Sequence, residues 1–133
     1  MRTLVDTSAL FALVDEDDAY HAAAKEWLGV AGRDTAVILS THSYVVTESL
    51  ALVRARLGAE ATRLLIDAFL PALSVLYVDR QLHESALALH RAAADRSVSF
   101  VDWVSFEMMR HSDIRRAFAF DDDFSREGFL LLP

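Results

Sequence analysis

The sequence predicts an α/β fold, in which helices cover both faces of a parallel β-sheet. Short apolar runs alternate with helix-like segments along nearly the whole chain. The apolar runs are continuous, which is typical of strands buried on both faces. The 133 residues are 53 % hydrophobic, enough for one sizeable core and too few for two ordinary ones. We therefore expect one domain over residues 1–133.

The chain opens with a strand followed by two helices. Residues 3–5 have the length of a short strand. Thr7 or Ser8 is a suitable cap for a helix over 9–14, because a side-chain hydroxyl accepts a hydrogen bond from the first helical turn. The acidic run DEDD ends this helix, and the Ala-rich segment 19–28 predicts a second one.

The middle of the chain predicts a second strand and two further helices. The run AVIL at 36–39 has the length of a buried strand. Ser40 or Thr41 is the expected cap of a long helix that ends near residue 57. A glycine stops this helix, and another is predicted over 59–72.

The second half of the chain repeats the alternation of strands and helices. Asp79 is the expected cap of its first helix, since Asp is a favoured N-cap residue. The predicted strands lie at 74–78, 116–120 and 129–132, and the predicted helices at 81–94, 100–111 and 124–127.

Composition and charge restrict the possible functions. A formal net charge of −7 argues against simple electrostatic attraction to nucleic acid, although two bound divalent ions would reduce it to −3. The absence of cysteine excludes disulfides and Cys-based zinc sites. No leader-like segment opens the chain, and none approaches the roughly 20 apolar residues of a membrane span. We expect a cytoplasmic protein that does not contact the membrane.

Two acidic residues follow predicted strands. Asp6 follows the first strand and Asp121 the fourth, and ligands of parallel sheets bind beyond the carboxyl ends of the strands. Each could instead only cap the next helix. The run Asp121–Asp123 leaves the fourth position open, because a one-residue slip of the strand would favour Asp122.

Two further acids lie on predicted helices among largely apolar neighbours. Three and four residues away, Glu48 has Tyr44, Val45, Ala51 and Leu52, and Asp102 has Val98, Ser99, Ser105 and Phe106. No cation lies within helical reach of either carboxylate, and burying an unpaired carboxylate is costly. Unless a base elsewhere in the fold pairs with them, their natural partner is a metal ion.

Other chemistries lack their motifs. The chain contains no HExxH, GxSxG, P-loop or GxGxxG pattern. A phosphatase that starts from a strand-end Asp usually has a second Asp two residues later, where this chain carries Ser8.

Four ordered segments resemble the PIN-domain ribonucleases of the VapC toxin type. They are LVDTSALFALVDEDDAYHAAAKEW, a mid-chain TE on a helix, SFVDWVSFEMM and AFAFDDDFSREGF, and they cover almost the whole chain. The chain departs from the family at Trp103, where a smaller residue is usual, and at its three consecutive Asp residues.

The resemblance implies a three-layer α/β/α sandwich with a central, mostly parallel sheet and an acidic pocket that binds Mg²⁺ or Mn²⁺ and cleaves RNA. Carried over by position, the catalytic and metal-binding acids are Asp6, Glu48, Asp102 and Asp121, with Ser8 as a polar helper. Asp6 and Asp102 are then the expected primary ligands, while Glu48 and Asp121 serve a second ion directly or through water.

The family also implies an RNA substrate, a small antitoxin partner and a homodimer. Two alternatives remain: a stand-alone RNA-processing nuclease with the same site, and a PIN-fold binding module without catalysis. The four retained acids argue against the second alternative.

Overall fold

A five-stranded sheet forms the centre of the protein, for which the computed structural model describes all residues, 1–133. Its strands are β1 (Arg2–Val5), β2 (Ile38–His42), β3 (Ser74–Leu76), β4 (Arg116–Phe118) and β5 (Leu130–Leu132). They lie in the order β3-β2-β1-β4-β5, and every neighbouring pair is parallel. The predicted parallel sheet is confirmed.

Seven α-helices connect these strands. They are α1 (Thr7–Val14), α2 (His21–Ala31), α3 (Ser43–Leu57), α4 (Ala59–Leu64), α5 (Arg80–Ala92), α6 (Phe100–His111) and α7 (Asp123–Arg126). None of them combines the length and the apolar character that crossing a bilayer requires.

Two hydrophobic cores lie on opposite faces of the sheet. Side chains alternate along a strand, so Leu4 of β1 belongs to one core and Val5 to the other. Ala117 and Phe118 of β4 divide in the same way. The first core is filled mainly by α6, and the second by α1 with parts of α2 and α3. This confirms the three-layer α/β/α arrangement.

The caps of two helices differ from the sequence prediction. Neither Thr7 nor Ser8 caps α1, because the Asp6 side chain accepts the hydrogen bond of the Ser8 N–H. Ser40 and Thr41 are buried within β2, which extends to His42. The imidazole of His42 caps α3 instead. In both cases the capping side chain belongs to the residue directly before the helix.

Other boundaries also moved. The predicted fourth strand, 116–120, ends at Phe118, and the third ends at Leu76. The helix predicted over 59–72 is α only to Leu64; a π-helical turn and a 3₁₀ turn follow it. Pro71 lies in the 3₁₀ turn, and its lack of an N–H prevents an α-helical hydrogen bond there.

The strand order reverses at β1. From β1 the chain proceeds to β2 and β3 on one side, and then crosses to β4 and β5 on the other. The carboxyl ends of β1 and β4 are therefore adjacent, with Val5 paired to Phe118. In open α/β sheets a crevice forms at such a reversal, and ligands bind there.

Candidate active site

The four predicted carboxylates converge beyond the carboxyl ends of β1 and β4. Asp6 follows β1, Asp121 lies in the loop after β4, and Glu48 and Asp102 project from α3 and α6. Burial raises the pKa of the Asp102 carboxyl, and the nearby charges of Asp6, Asp121 and Glu48 raise it further. The fold thus brings together side chains that lie far apart along the chain.

Asp6 is the most enclosed of the four, with 3 % of its surface exposed. Its Oδ2 accepts hydrogen bonds from the Ser8 N–H at 3.1 Å and the Ser8 hydroxyl at 2.7 Å. Its Oδ1 is buried without a partner in the chain. Burial raises the pKa of Asp6 to about 6, with a further contribution from the Glu48 charge, although the Ser8 hydrogen bonds oppose the rise.

Asp102 lies in the first turn of α6. Its backbone N–H donates to the Ser99 hydroxyl at 3.1 Å, which caps the helix and fixes the position of the residue. Burial and then the neighbouring carboxylates raise the pKa of Asp102 to about 8. Without a cation, this side chain therefore holds a proton at neutral pH.

Asp123 joins the cluster, which the sequence did not indicate. One carboxylate oxygen from each of Asp102, Asp121 and Asp123 lies within 4.8 Å of the others. The Asp121 Oδ1 accepts the Asp123 N–H at 2.9 Å, and this turn directs both side chains to the same place. Asp122, the residue that a register slip would have favoured, is exposed and outside the group.

Asp121 does not directly follow β4, as the sequence suggested, but lies three residues beyond Phe118. The signal for Asp123 in the sequence is its position two residues after Asp121. In a turn, residues at this spacing can direct their side chains to the same side of the backbone. Asp123 also forms a 2.9 Å ion pair with Arg126, so one of its oxygens is already partnered.

Ser8, the polar helper that the resemblance implies, lies directly against Asp6. Its hydroxyl donates to Asp6 and accepts the Phe120 N–H at 3.0 Å. It therefore connects the end of β1 to the loop that carries Asp121. Trp103, the departure from the family pattern, packs into the core against Phe106.

A buried histidine connects the two helices that carry Glu48 and Asp102. The Nδ1 atom of His42 accepts the N–H groups of Tyr44 and Val45 at the start of α3, and its Nε2 lies 2.8 Å from the Ser105 hydroxyl on α6. Burial lowers the pKa of His42 to about 4, so the ring is neutral. Because Nδ1 is an acceptor, Nε2 carries the proton and donates it to Ser105.

The donor set suits a hard divalent cation. All the candidate ligands are carboxylates, and hard cations prefer oxygen ligands. The buried Asp6 Oδ1 has a free acceptor position. Burial, and then the charges of neighbouring carboxylates, raise the pKa values of Asp6 and Asp102, so ionising either group is costly without a cation beside it. A divalent ion would satisfy both requirements.

Comparisons with known proteins point to one family. Residues 3–130 match the PIN domain model. The chain is 37 % identical over 131 residues to the 23S rRNA-specific endonuclease VapC20 of Mycobacterium tuberculosis, covering 95 % of this chain and 94 % of that protein.

Two solved structures agree with this family. The crystal structure of M. tuberculosis VapC20, described as a sarcin–ricin loop cleaving toxin, superposes with a TM-score of 0.82 at 34 % identity and 96 % coverage of both chains. A chain of the Rickettsia felis VapBC2 complex bound to promoter DNA has a TM-score of 0.71 at 12 % identity, covering 98 % of this chain and 97 % of that one. At that identity the likeness shows the fold alone.

Proposed function

The chain belongs to the PIN domain family, and from this premise we propose that it is a metal-dependent endoribonuclease and the toxin of a type II toxin–antitoxin pair. The observation that carries the proposal is the proximity of Asp6, Glu48 and Asp121 to Asp102, whose carboxyl feels all three charges, together with the unpartnered Asp6 Oδ1. Capping of α1 accounts for the Asp6 Oδ2 atom but not for the grouping of four carboxylates, because like charges raise one another's pKa.

We assign the four acids to metal binding and catalysis, with Mg²⁺ or Mn²⁺ as the ion. Asp6 and Asp102 are the primary ligands, and Glu48 and Asp121 complete the set. The proximity of Asp123 to Asp102 and Asp121 supports adding it as a subsidiary ligand. The chemistry that bound divalent ions would supply is Lewis acidity, which makes water a better nucleophile and offsets charge on the leaving oxygen.

The residues of the chain prepare the site for hydrolysis. Ser8 holds the Asp6 carboxylate through Oδ2, which leaves Oδ1 without a partner in the chain and free to accept a ligand. Asp102 would lose its proton beside a bound cation, since opposite charge lowers the pKa of a carboxyl. In the reaction itself, a water oxygen bonds to phosphorus, the P–O bond of the RNA breaks, and a proton ends on the leaving oxygen.

The partners follow from the relatives. VapC20 is named as specific for 23S rRNA, so ribosomal RNA and a sarcin–ricin loop oligonucleotide are the first substrates to test. We also propose a small antitoxin as the protein partner, a homodimer as the working form and the cytoplasm as the compartment. We propose one nuclease domain over residues 1–133. Light scattering of the purified protein, with and without the product of a neighbouring small gene, tests the dimer and the antitoxin.

The proposed activity is tested by RNA cleavage in Mg²⁺ or Mn²⁺, with and without EDTA. Asp6→Asn should remove detectable cleavage while the far-ultraviolet circular dichroism remains that of a folded protein. Asp95→Asn is the matched control, because Asp95 is exposed and lies outside the cluster. Equal activity of both variants would remove Asp6 from the site. RNA binding without metal-dependent cleavage in the wild type would favour the binding module, whereas cleavage without growth arrest on expression would favour an RNA-processing nuclease.

A further inference from the structure

Two aromatic rings stack at the edge of the carboxylate cluster. The rings of Tyr20 and Phe120 have centroids 4.6 Å apart and planes inclined by only 12°. Tyr20 precedes α2 and is 52 % exposed, while Phe120 is partly buried beneath it. A large exposed aromatic side chain is thus supported on one ring face and available to solvent on the rest of its surface.

The surrounding backbone holds Tyr20 in place. Its N–H donates to the Asp18 carboxylate at 2.8 Å, which orders the acidic loop between α1 and α2. The next residue, His21, is anchored by a 2.7 Å hydrogen bond between its Nδ1 and the Ala12 carbonyl of α1. Tyr20 therefore belongs to an ordered turn.

Phe120 is also fixed, and it adjoins the site directly. Its N–H donates to the Ser8 hydroxyl, which itself donates to the Asp6 carboxylate. Its ring packs edge-on against the buried Phe118, with centroids 6.2 Å apart. The residue after it is Asp121. Phe120, the lower ring of the stacked pair, therefore lies one residue from Asp121 and shares the hydrogen-bonded Ser8 with Asp6.

We propose that Tyr20, supported by Phe120, is a stacking platform for one nucleobase of single-stranded RNA beside the scissile phosphate. This inference rests on the proposed ribonuclease function, and it names a substrate-positioning residue for that reaction. Aromatic side chains that receive unpaired bases are a general means of binding single-stranded RNA, because every base presents a π-face.

The negative charge around the stacked rings favours a neutral nucleobase over a phosphate group as the occupant. The acidic loop beside Tyr20 and the carboxylates after Phe120 repel a phosphate that approaches without cations. A neutral base has no such penalty, and the adjoining Asp121 and Asp6 belong to the proposed metal site, where a cation would offset the charge of the attached phosphate. The platform places an aromatic surface where the acids themselves offer no apolar contact to the substrate.

The experiment compares Tyr20→Leu, which keeps an apolar side chain but removes the ring, with Tyr20→Phe, which retains it. Tyr77→Leu is the control, because Tyr77 is 83 % exposed but follows the edge strand β3, two strands from β1. The substrate is a short fluorescent single-stranded RNA that the wild type cleaves in Mn²⁺. A second set of substrates carries one abasic ribose, placed in turn at each position next to the cut. Thermal melts establish that each variant is folded.

We expect Tyr20→Leu to raise KM roughly 5- to 150-fold with a smaller change in kcat, which corresponds to the ~1–3 kcal/mol of a base–aromatic stack. Tyr20→Phe and Tyr77→Leu should keep the wild-type KM. An abasic ribose at one position should raise the KM of the wild type by a similar factor. The same abasic substrate should not raise the KM of Tyr20→Leu further, because both changes remove the same contact.

Two results would overturn the platform while leaving the nuclease function intact. The first is an equal KM for Tyr20→Leu and Tyr77→Leu. The second is additivity: the increase in KM caused by Tyr20→Leu is the same on every abasic substrate as on the intact RNA. If the wild type cleaves no RNA, the proposed catalysis fails instead. Fluorescence anisotropy with the same RNA then tests the stacking platform. The proposal stands only if Tyr20→Leu weakens RNA binding while Tyr20→Phe and Tyr77→Leu do not.

Discussion

At the scale of single residues, the charge of the Asp102 carboxyl is the property most sensitive to the environment. Burial and three neighbouring carboxylates raise its pKa to about 8, and burial raises that of Asp6 to about 6. Both groups start near 3.8 in the unfolded chain. In the absence of metal the folded state therefore binds protons more tightly than the unfolded state.

This difference predicts how the stability of the metal-free protein depends on pH. The contribution of Asp102 is fully favourable below about 4 and is lost as pH rises through about 8, since ionising the buried group then opposes folding. Asp102→Asn removes the ionisable group, so the stability of this variant relative to the wild type should rise by on the order of 4 kcal/mol between pH 5 and pH 8.5.

Urea unfolding in EDTA at both pH values measures this gain. Asp95→Asn should show no such change, because its side chain is exposed. A difference in the free energy of unfolding between wild type and Asp102→Asn that stays constant with pH would contradict the raised pKa of Asp102.

The acids after β4 are predicted to differ in their importance. The charge of Asp121 contributes to the raised pKa of Asp102, while Asp123 already pairs with Arg126. Asp121→Asn should therefore reduce kcat by roughly 100-fold or more, Asp123→Asn by less, and the exposed Asp122→Asn very little. Single-turnover RNA cleavage at saturating Mn²⁺ measures the three rates. A larger loss in Asp123→Asn than in Asp121→Asn would reverse the assignment.

At the scale of secondary-structure elements, α3 and α6 present Glu48 and Asp102 from two different helices. His42 connects the two elements: it caps α3 through Nδ1 and reaches Ser105 of α6 through Nε2. Ser105 in turn donates to the Val101 carbonyl, one residue before Asp102. The relative position of Glu48 and Asp102, two of the proposed metal ligands, thus depends on a hydrogen bond between the side chains of His42 and Ser105.

Substitutions that separate the capping and connecting roles of His42 test this arrangement. His42→Asn keeps a residue that can cap α3 but loses the contact with Ser105, and Ser105→Ala loses the same contact from the other side. Each should destabilise the protein by about 1–3 kcal/mol. The double variant should lose less than the two single losses added together, because both remove one interaction. Additive losses in urea unfolding would show that His42 and Ser105 act independently.

At the scale of the whole molecule, the strand order collects several carboxylates at one edge of the sheet. The carboxyl ends of β1 and β4 meet where the order reverses, and the helices on both faces add further carboxylates at this edge. Like charges held this close oppose folding. The global stability of the protein should therefore depend on divalent ions.

Adding Mg²⁺ or Mn²⁺ should raise the melting temperature through Glu48 and Asp102. A ligand that binds only the folded state adds roughly 2.7 kcal/mol at 100 times its dissociation constant. Thermal melts across a metal titration compare the wild type with Asp102→Ala and Glu48→Gln, which should respond weakly. Ca²⁺ should also stabilise the protein but support little cleavage, because its coordination geometry is looser. Identical melting of wild type and Asp102→Ala with and without saturating Mn²⁺, together with cleavage in EDTA, would exclude the metal site.

The sequence by itself determined the α/β class, the order of the elements and the identity of the unusual acids. These features depend on local patterns: buried strands require continuous apolar runs, and an unpaired acid such as Glu48 stands out among its helical neighbours. The boundary between β2 and α3 did not follow from the sequence, because His42 caps the helix only when the fold orients its ring. Asp123 also required the structure, since its direction depends on the turn that Asp121 closes.

Only the tertiary structure decided which of these side chains meet. The His42–Ser105 hydrogen bond joins residues 63 positions apart, and Phe120 reaches Ser8 across 112 positions. The stacking of Tyr20 on Phe120 and the unpartnered Asp6 Oδ1 likewise depend on chain segments that are distant in sequence. Periodicity and propensity act over a few residues, whereas these contacts are fixed by strand order and by helix packing on the two faces of the sheet.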